Sequence, residues 1–183
     1  MNTKRTSQSK FLSLLLRHQP ETIGLELDAN GRASVPELLK KAAVHGHDFD
    51  RDALTEIVAQ NSKNRFEFET STDRIRARQG HSLEVHLDLA PLEPPTWLFH
   101  GTADRFLPSI LESGLRKGAR QHVHLTADEA TAWSVGTRHG RPVVLAVASG
   151  RLHSGGQPFY FSTNGVWLTE HVPADCLEVH PAR

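Results

Sequence analysis

The chain has 183 residues, of which 38% are hydrophobic and 23% charged, and its 21 basic side chains balance 21 acidic ones. This length and composition fit a soluble globular protein of one domain or two small ones. A net charge of zero argues against a protein that coats nucleic acid through bulk charge, but it is compatible with a local basic pocket for phosphate.

The single cysteine, Cys176, excludes a disulfide framework and a cysteine-rich zinc site, and it fits a reducing cytoplasm. The first ten residues, MNTKRTSQSK, lack the apolar stretch of a signal peptide. No window approaches 18 apolar residues. We therefore expect a cytoplasmic protein that does not cross a membrane.

The first half of the chain is predicted to be helical and then β. Residues 7–18 place apolar side chains at helical spacing, with Ser7 or Ser9 as the cap, and Pro20 ends the helix. The segments predicted after it are a hairpin around Asn30-Gly31, a helix over 34–46 capped by Ser34, a helix over 49–61 capped by Asp50, and two strands over 65–79. Three small helices followed by a β-hairpin are typical of a winged helix, which often binds nucleic acid but also serves as a protein-contact module.

The second half of the chain has a different pattern. The segment DLAPLEPPT, residues 88–96, carries three prolines and predicts a linker over 89–96. Beyond it, short apolar runs alternate with turn residues, and residues 105–114 and 127–136 are predicted to be short helices. We expect an α+β protein with a first domain over 1–88 and a second, five- or six-stranded domain over 97–183.

Several basic residues of the first half are candidates for a phosphate site. Arg17 and His18 follow an apolar helix, where they either complement the helix dipole or point into a cleft. Arg65 is the first residue of a predicted strand. It is either an ordinary charged strand end or a side chain that binds the phosphate. Residues 74, 76 and 78 are all arginines and would share one face of a strand, which is either a solvated edge or an anion site.

The second half offers a second set of candidates. Residues 100–102, His-Gly-Thr, follow an apolar run. They could bind the ribose or the diphosphate of a nucleotide, or they could form an ordinary turn after a strand. Arg120 precedes His122 and His124, which would share a face of a strand. A metal needs a third ligand, and no cysteine or well-spaced carboxylate supplies one, so we expect no metal.

Known catalytic motifs narrow the choice of chemistry. The sequence contains no P-loop, no GxGxxG, no GxSxG and no evident carboxylate pair, so kinase, Rossmann dehydrogenase, α/β-hydrolase and glycosidase functions lose their support. Arginine and histidine beside glycine-rich turns remain. Guanidinium groups bind phosphate through paired hydrogen bonds, and histidine moves protons near neutral pH. This set suits phosphoryl or ADP-ribosyl transfer without a metal.

Six segments, in this order, resemble the NAD-dependent RNA 2′-phosphotransferases of the KptA type. They are LLLRHQPETIGLELDANGRASVPELL, KNRFEF, RIRARQGHS, LFHGT, GLRKGARQHVHLT and NGVWLTEHVP. The resemblance extends from about Ser9 to about Glu178 and implies an N-terminal winged-helix lobe and a C-terminal lobe resembling ADP-ribosyltransferases.

The resemblance also implies an activity. The family removes an internal 2′-phosphate from RNA, such as one left at a tRNA splice junction, and transfers it to NAD⁺. The implied intermediate is RNA whose 2′-phosphate carries ADP-ribose. The implied products are RNA with a 2′-hydroxyl, nicotinamide and ADP-ribose 1″,2″-cyclic phosphate. RNA and NAD⁺ are thus the expected partners, with NAD⁺ as a co-substrate.

The family motifs assign roles to residues of this sequence. The implied catalytic residues are Arg17, His18, Arg65 and Arg120. The implied NAD⁺-binding residues are His100, Gly101, Thr102 and His124. The signature RAxQGHS places four residues near the RNA or its phosphate: Arg76, Gln79, His81 and Ser82. Its variable position is Arg78, and we expect Arg74 and Arg78 to be solvated.

Two other functions fit parts of the same pattern. An ADP-ribosyltransferase that modifies another nucleic-acid phosphate or a protein would use the same NAD⁺ lobe and leave the ADP-ribosyl group attached. A non-catalytic winged-helix regulator would bind RNA without turnover. The sequence contains no feature specific for oligomerisation, so a monomer is expected.

Overall fold

The computed structural model of the chain describes residues 3–47, 49–60 and 64–181. These residues form six α-helices and several small antiparallel sheets, which confirms the predicted mixed α and β class. The chain divides into two compact units, Met1–Asp88 and Leu89–Arg183. None of the helices within the described ranges is long and apolar enough to span a membrane.

The first unit consists of three helices and a three-stranded sheet. Its elements are α1 (Thr3–Arg17), β1 (Arg32–Ser34), α2 (Val35–Val44), α3 (Arg51–Ala59), β2 (Phe66–Glu69) and β3 (Arg74–Ala77). The sheet has β3 in the centre, antiparallel to both neighbours. Leu12, Leu15, Leu38, Leu54 and Ile75 are fully buried in one core between the helices and the sheet.

Two predicted helix caps are confirmed. The side chain of Ser34 accepts a hydrogen bond from the N–H of Glu37 at 3.5 Å, and Asp50 accepts one from the N–H of Ala53 at 2.8 Å. Each cap satisfies a backbone donor that the first turn of a helix leaves without an intrahelical partner.

The predicted start of the first helix is wrong. Helix α1 begins at Thr3, so Ser7 and Ser9 lie inside it rather than at its cap. Arg5 donates hydrogen bonds to Gln60 at 2.6 Å and to Glu56 at the end of α3. These contacts hold a polar first turn that has no apolar stripe of its own.

The predicted hairpin around Asn30-Gly31 is also wrong. A turn does form there, and the N–H of Gly31 donates to the carbonyl of Asp28 at 2.9 Å. The chain before the turn forms no strand, however, and β1 after it pairs with β3 instead. A two-residue turn signal fixes local geometry but does not choose the strand's partner.

The second unit is built from short strands and helices. Its elements are β4 (Leu98–Ala103), α4 (Leu107–Ser113), β5 (Leu115–Arg116), β6 (Val123–Leu125), α5 (Glu129–Gly136), β7 (Pro142–Val147), α6 (Ser149–Ser154), β8 (Tyr160–Phe161), β9 (Trp167–Thr169), β10 (His171–Val172) and β11 (Leu177–His180). The strands form antiparallel sheets in the orders β11-β7-β4, β6-β9-β8 and β10-β5. Leu98, Leu145, Val147 and Phe159 are fully buried in their core. The two predicted helices are present, and the described residues contain more strands than predicted.

Residues 89–96, predicted to be a linker, are bonded to the second unit. The N–H of Leu92 donates to the carbonyl of Phe159 at 2.8 Å. The hydroxyl of Ser149 donates to the carbonyl of Pro95 at 2.6 Å. The proline-rich composition therefore describes an extended segment that lies along this unit.

Candidate functional site

Helix α1 ends abruptly at the first candidate pair. Arg17 is its last residue, and the N–H groups of His18 and Gln19 both donate to the carbonyl of Leu14, at 3.0 and 2.9 Å. Pro20 then begins a separate 3-10 turn, because proline has no N–H to continue the helical ladder. Arg17 is half-buried and His18 is exposed at this end of the helix.

The end of the RARQGHS segment lies against the same helix terminus. The N–H of Ser82 donates to the carbonyl of Arg17 at 2.9 Å, and the Ser82 hydroxyl donates to that oxygen at 3.4 Å. The hydroxyl oxygen also lies 3.0 Å from Nδ1 of His18. The structure therefore brings Arg17 and His18 together with Ser82, although 64 positions separate the last two in sequence.

His81 lies within this cluster as a buried, neutral ring. It is 1% exposed, and its pKa falls to about 4, first because burial disfavours the charged form and then because Arg17, His18 and Arg76 add positive charge. Neither ring nitrogen has a hydrogen-bond partner among the described residues. A Cβ at Gly31 would lie 3.3 Å from Nε2, so glycine leaves room for the ring. Gln79 is buried as well.

The alternating arginines share one face of β3, as predicted. Ile75 and Ala77 are fully buried on the other face, while Arg74 and Arg76 point away from the core. Arg32 of β1 is the direct partner of Arg76 and so lies on the same face. We call Arg32, Arg74, Arg76 and Arg78 the arginine face.

Acidic side chains from neighbouring segments neutralise this face. Glu67 contacts Arg76 at 2.5 Å and Arg78 at 3.5 Å, and Asp28 contacts Arg74 at 2.6 Å. The expectation that Arg74 and Arg78 are solvated holds for Arg74, whose side chain is 41% exposed, and is wrong for Arg78. Both are ion-paired, and the Arg78 side chain is only 23% exposed. The acids come from strand β2 and from the turn before β1, so the run around residue 76 does not reveal them.

Arg65 lies just before strand β2, close to its predicted position. Its carbonyl accepts a hydrogen bond from the N–H of Arg78 at 2.9 Å, which extends the β2–β3 ladder by one residue. The half-buried Arg65 is therefore held at the end of the strand pair that carries the arginine face.

In the second unit, His100, Gly101 and Thr102 lie within strand β4 rather than in a turn after a strand. A Cβ at Gly101 would meet the carbonyl oxygen of Ala132 at 1.8 Å, so only glycine lets helix α5 pack on β4. Thr102 is 6% exposed. The glycine thus serves close helix–strand packing, a role that the sequence pattern did not separate from ligand approach.

His100, His124 and Arg120 form one hydrogen-bonded chain. Nδ1 of His100 lies 3.0 Å from the carbonyl oxygen of His124, and Nη1 of Arg120 lies 3.2 Å from Nδ1 of His124. A carbonyl only accepts and a guanidinium only donates. Nδ1 therefore carries the proton in His100 but accepts a hydrogen bond in His124.

The protonation of His100 follows from its surroundings. Burial lowers its pKa, Arg120 lowers it further, and the hydrogen bond to His124 acts in the opposite direction. A neutral His100 has an acceptor at Nε2, whereas a neutral His124 has a donor at Nε2. The two rings thus offer hydrogen-bonding atoms of opposite character.

His122 has a separate environment. Burial lowers its pKa, and its ring lies edge-on to Tyr160 with centroids 5.9 Å apart. Within the described parts of the chain, no group of three or more His, Cys, Asp or Glu side chains is arranged to hold a metal ion.

Comparisons with known proteins identify the family. The model of a family described as "RNA 2'-phosphotransferase, Tpt1 / KptA family" matches residues 3–171. A protein of Agrobacterium fabrum named probable RNA 2′-phosphotransferase is 53% identical over 174 residues, which cover 95% of this chain and 94% of the relative. The chain belongs to the RNA 2′-phosphotransferase family.

Other members of the family are similarly close. Proteins with the same name from Acaryochloris marina and Hahella chejuensis are 51% and 50% identical. The matches cover 95% and 98% of this chain, and 96% of each relative. The matched range of the family model includes every candidate residue of both units.

The sequence missed Glu67, Asp28 and Asp88 as partners of the basic residues. Asp88 contacts Arg32 at 3.4 Å and Arg76 at 3.6 Å. A signal for Glu67 was present in the strand sequence FEFE, where acids alternate with phenylalanine and so share one face. Asp28 and Asp88 lie in loops and carry no such periodic signal.

Proposed function

We propose that this chain removes an internal 2′-phosphate from RNA by transferring it to NAD⁺. The products are RNA with a 2′-hydroxyl, nicotinamide and ADP-ribose 1″,2″-cyclic phosphate, and the intermediate is RNA whose 2′-phosphate bears ADP-ribose. The observation that supports this most directly is the cluster at the end of α1. There Ser82 bonds both Arg17 and His18 and joins two motifs of the family.

We also propose a role for each unit. The three helices and three-stranded sheet of Met1–Asp88 support a winged-helix, RNA-binding lobe. The small antiparallel sheets of Leu89–Arg183 support an ADP-ribosyltransferase-like, NAD⁺-binding lobe. Residues 89–96 then form the strap that begins the second lobe.

The proposed catalytic residues are Arg17, His18, Arg65 and Arg120. Guanidinium groups keep their charge and present paired donors, so they suit a phosphate that is a dianion when it attacks and carries spread charge when it is itself attacked. Donors fixed in place before the reaction stabilise such charge without reorganisation. His18 is proposed to bind the phosphate or to move a proton in the second step.

The signature residues are proposed to shape the phosphate pocket. Arg76 is half-buried and Ser82 is exposed, so these two are proposed to contact the RNA, whereas Gln79 and His81 are buried and are proposed to support them. A neutral His81 lies within the electrostatic influence of Arg17 without adding a further positive charge.

The residues of the second unit fit a nucleotide ribose. A ribose hydroxyl both donates and accepts, so the acceptor of His100 and the donor of His124 can serve a pair of hydroxyls. NAD⁺, when bound, supplies the ribose carbon from which nicotinamide leaves. We propose that His100 and His124 orient that ribose and that Gly101 and Thr102 hold His100 in place beneath α5.

The deciding experiment uses a short RNA with one radiolabelled internal 2′-phosphate. The RNA is incubated with the protein, with and without NAD⁺ and in the presence of EDTA, and the products are separated. We expect NAD⁺-dependent release of the label as ADP-ribose cyclic phosphate, undiminished by EDTA. R17A should abolish the release, whereas R138A, which removes an exposed arginine, should not.

The other outcomes identify the competing functions. Label that stays on RNA bearing ADP-ribose would indicate either that the second step is blocked or that the native activity is that of an ADP-ribosyltransferase with another acceptor. RNA binding without reaction in the presence of NAD⁺ would indicate a non-catalytic regulator. The first result would support the first step of the proposed reaction but reject its second step as native, and the second result would reject both steps.

A further inference from the structure

Ser82 makes three polar contacts with two consecutive residues. Its N–H and its hydroxyl both donate to the carbonyl oxygen of Arg17, at 2.9 and 3.4 Å, and its Oγ lies 3.0 Å from Nδ1 of His18. The N–H bond fixes the backbone of Ser82 independently of the side chain. The hydroxyl is therefore held between a carbonyl and an imidazole.

The backbone before Ser82 is fixed as well. His81 is buried at 1% exposure and packs beside Gly31. Gly80 has a φ of +87°, in the left-handed region that favours glycine, and this conformation lets the chain turn from β3 towards α1. Together with the N–H bond to Arg17, these features hold the backbone of Ser82 at the end of α1.

The tautomer of His18 follows from which acceptor receives the single proton of the Ser82 hydroxyl, the carbonyl of Arg17 or Nδ1 of His18. A hydroxyl has one proton to donate, and a carbonyl oxygen can only accept. The carbonyl of Arg17 is also at the negative end of the α1 dipole, which favours a donor there. With the Ser82 proton directed at Arg17, the contact with Nδ1 of His18 requires a proton on that nitrogen.

The same arrangement holds for both charge states of the ring. A protonated imidazole donates from Nδ1, and so does the neutral Nδ1–H tautomer. The chain Nδ1–H···Oγ–H···O=C is therefore compatible with a neutral and with a protonated ring, which differ only at Nε2.

We infer that Ser82 is a positioning residue that holds His18 as the Nδ1–H tautomer, so that Nε2 is the nitrogen that meets the RNA phosphate or moves its proton. The part concerning RNA rests on the proposed function. The tautomer itself does not depend on the proposed function.

The first test is nuclear magnetic resonance of the full chain with ¹⁵N-labelled histidine. The His18 signals are identified with H18Q, and the spectra are recorded at a pH where the ring is neutral. We expect a protonated Nδ1 and an unprotonated Nε2 in the wild type and in S82T, and loss of this fixed pattern in S82A. S71A, which removes an exposed serine in a turn, is the matched control.

The second test is turnover of the 2′-phosphorylated RNA. We expect S82A to lower kcat at least about tenfold with little change in KM, and S82T to recover most of the loss. Thermal unfolding would reveal a folding defect in S82A. In that case the tautomer and the rate of S82T, which keeps the hydroxyl, would decide whether the hydroxyl positions His18.

Two results would overturn the inference. One is an Nε2–H tautomer in the wild type, and the other is an S82A protein with an unchanged tautomer and rate. An inactive wild type that shows the expected tautomer would reject the proposed function but keep the assignment of Ser82 as the residue that fixes His18.

Discussion

The guanidinium of Arg120 donates a hydrogen bond to Nδ1 of His124 across 3.2 Å. This contact links a residue of the exposed loop after β5 to a half-buried residue of β6. Because a guanidinium has no acceptor, the bond leaves His124 with its ring proton on Nε2. The loop and the strand therefore determine together which hydrogen bonds His124 can offer.

Replacing Arg120 by lysine keeps the positive charge but removes the planar arrangement of hydrogen-bond donors, so the variant tests which of the two the reaction needs. We expect R120K to slow formation of the cyclic phosphate at least about tenfold, because an ammonium lacks the planar donors that a guanidinium presents. Nicotinamide release and NAD⁺ binding should change less. Single-turnover assays that follow nicotinamide and cyclic phosphate separately measure the two steps, with R138K as control. Equal slowing of both steps would contradict this assignment.

Gly101 should be intolerant of any side chain. A Cβ there would meet the carbonyl of Ala132 at 1.8 Å, so G101A must push α5 off β4. We expect a loss of about 3 kcal/mol or more in the free energy of unfolding, measured by urea denaturation. G155A is the comparison, because Gly155 has a φ of −79° and its nearest contact would be 3.3 Å. Similar losses in the two variants would contradict the packing role.

His81 should make the protein less stable in mild acid. Its pKa is about 4 in the folded chain and 6.5 as a free side chain, so the unfolded state binds more protons between these values. The stability that His81 contributes is complete above pH 6.5 and is lost as the pH falls towards 4, by a total of about 3 kcal/mol.

The matched variant for this prediction is H81Q, which cannot titrate. Urea unfolding at pH 7 and at pH 4.5 gives the change in stability for each protein. The wild type should lose more stability than H81Q between the two pH values. An equal loss would show that other groups cause the acid sensitivity.

Glu67 should restrain the arginine face. It contacts both Arg76 and Arg78, so E67Q removes the counter-charge of two arginines at once. We expect RNA without a 2′-phosphate to bind about two- to fivefold more tightly at low salt, with the gain shrinking as ionic strength rises. E84Q changes the net charge equally at an exposed position and is the control. An equal gain in RNA affinity in E84Q would show that the net charge of the protein, and not the contacts of Glu67, limits RNA binding.

The sequence was most informative where one residue decides the local geometry. Ser34 and Asp50 cap their helices as predicted, because a cap is a contact over three residues. The alternation of Arg74 and Arg76 with buried Ile75 was equally clear, because side chains of a strand have a period of two.

Contacts between distant segments could not be predicted in this way. Nothing near Asn30 indicates that β1 will pair with β3. The alternation in FEFE places Glu67 on one face of β2, but it does not indicate that Arg76 is the residue that Glu67 will contact. The proximity of His18 and Ser82 is another example. Family resemblance marked both residues, but only the folded chain shows that they are in contact.

The alternating pattern of β3 also protects the alignment of the central strand. A slip of one residue along β1 or β2 would turn Arg74 and Arg76 into the core and expose Ile75 and Ala77. Burying two guanidinium groups without their carboxylates is far more costly than any gain from the misaligned pairing. The charged side chains that face outwards therefore exclude every alignment of the strand that is shifted by an odd number of residues.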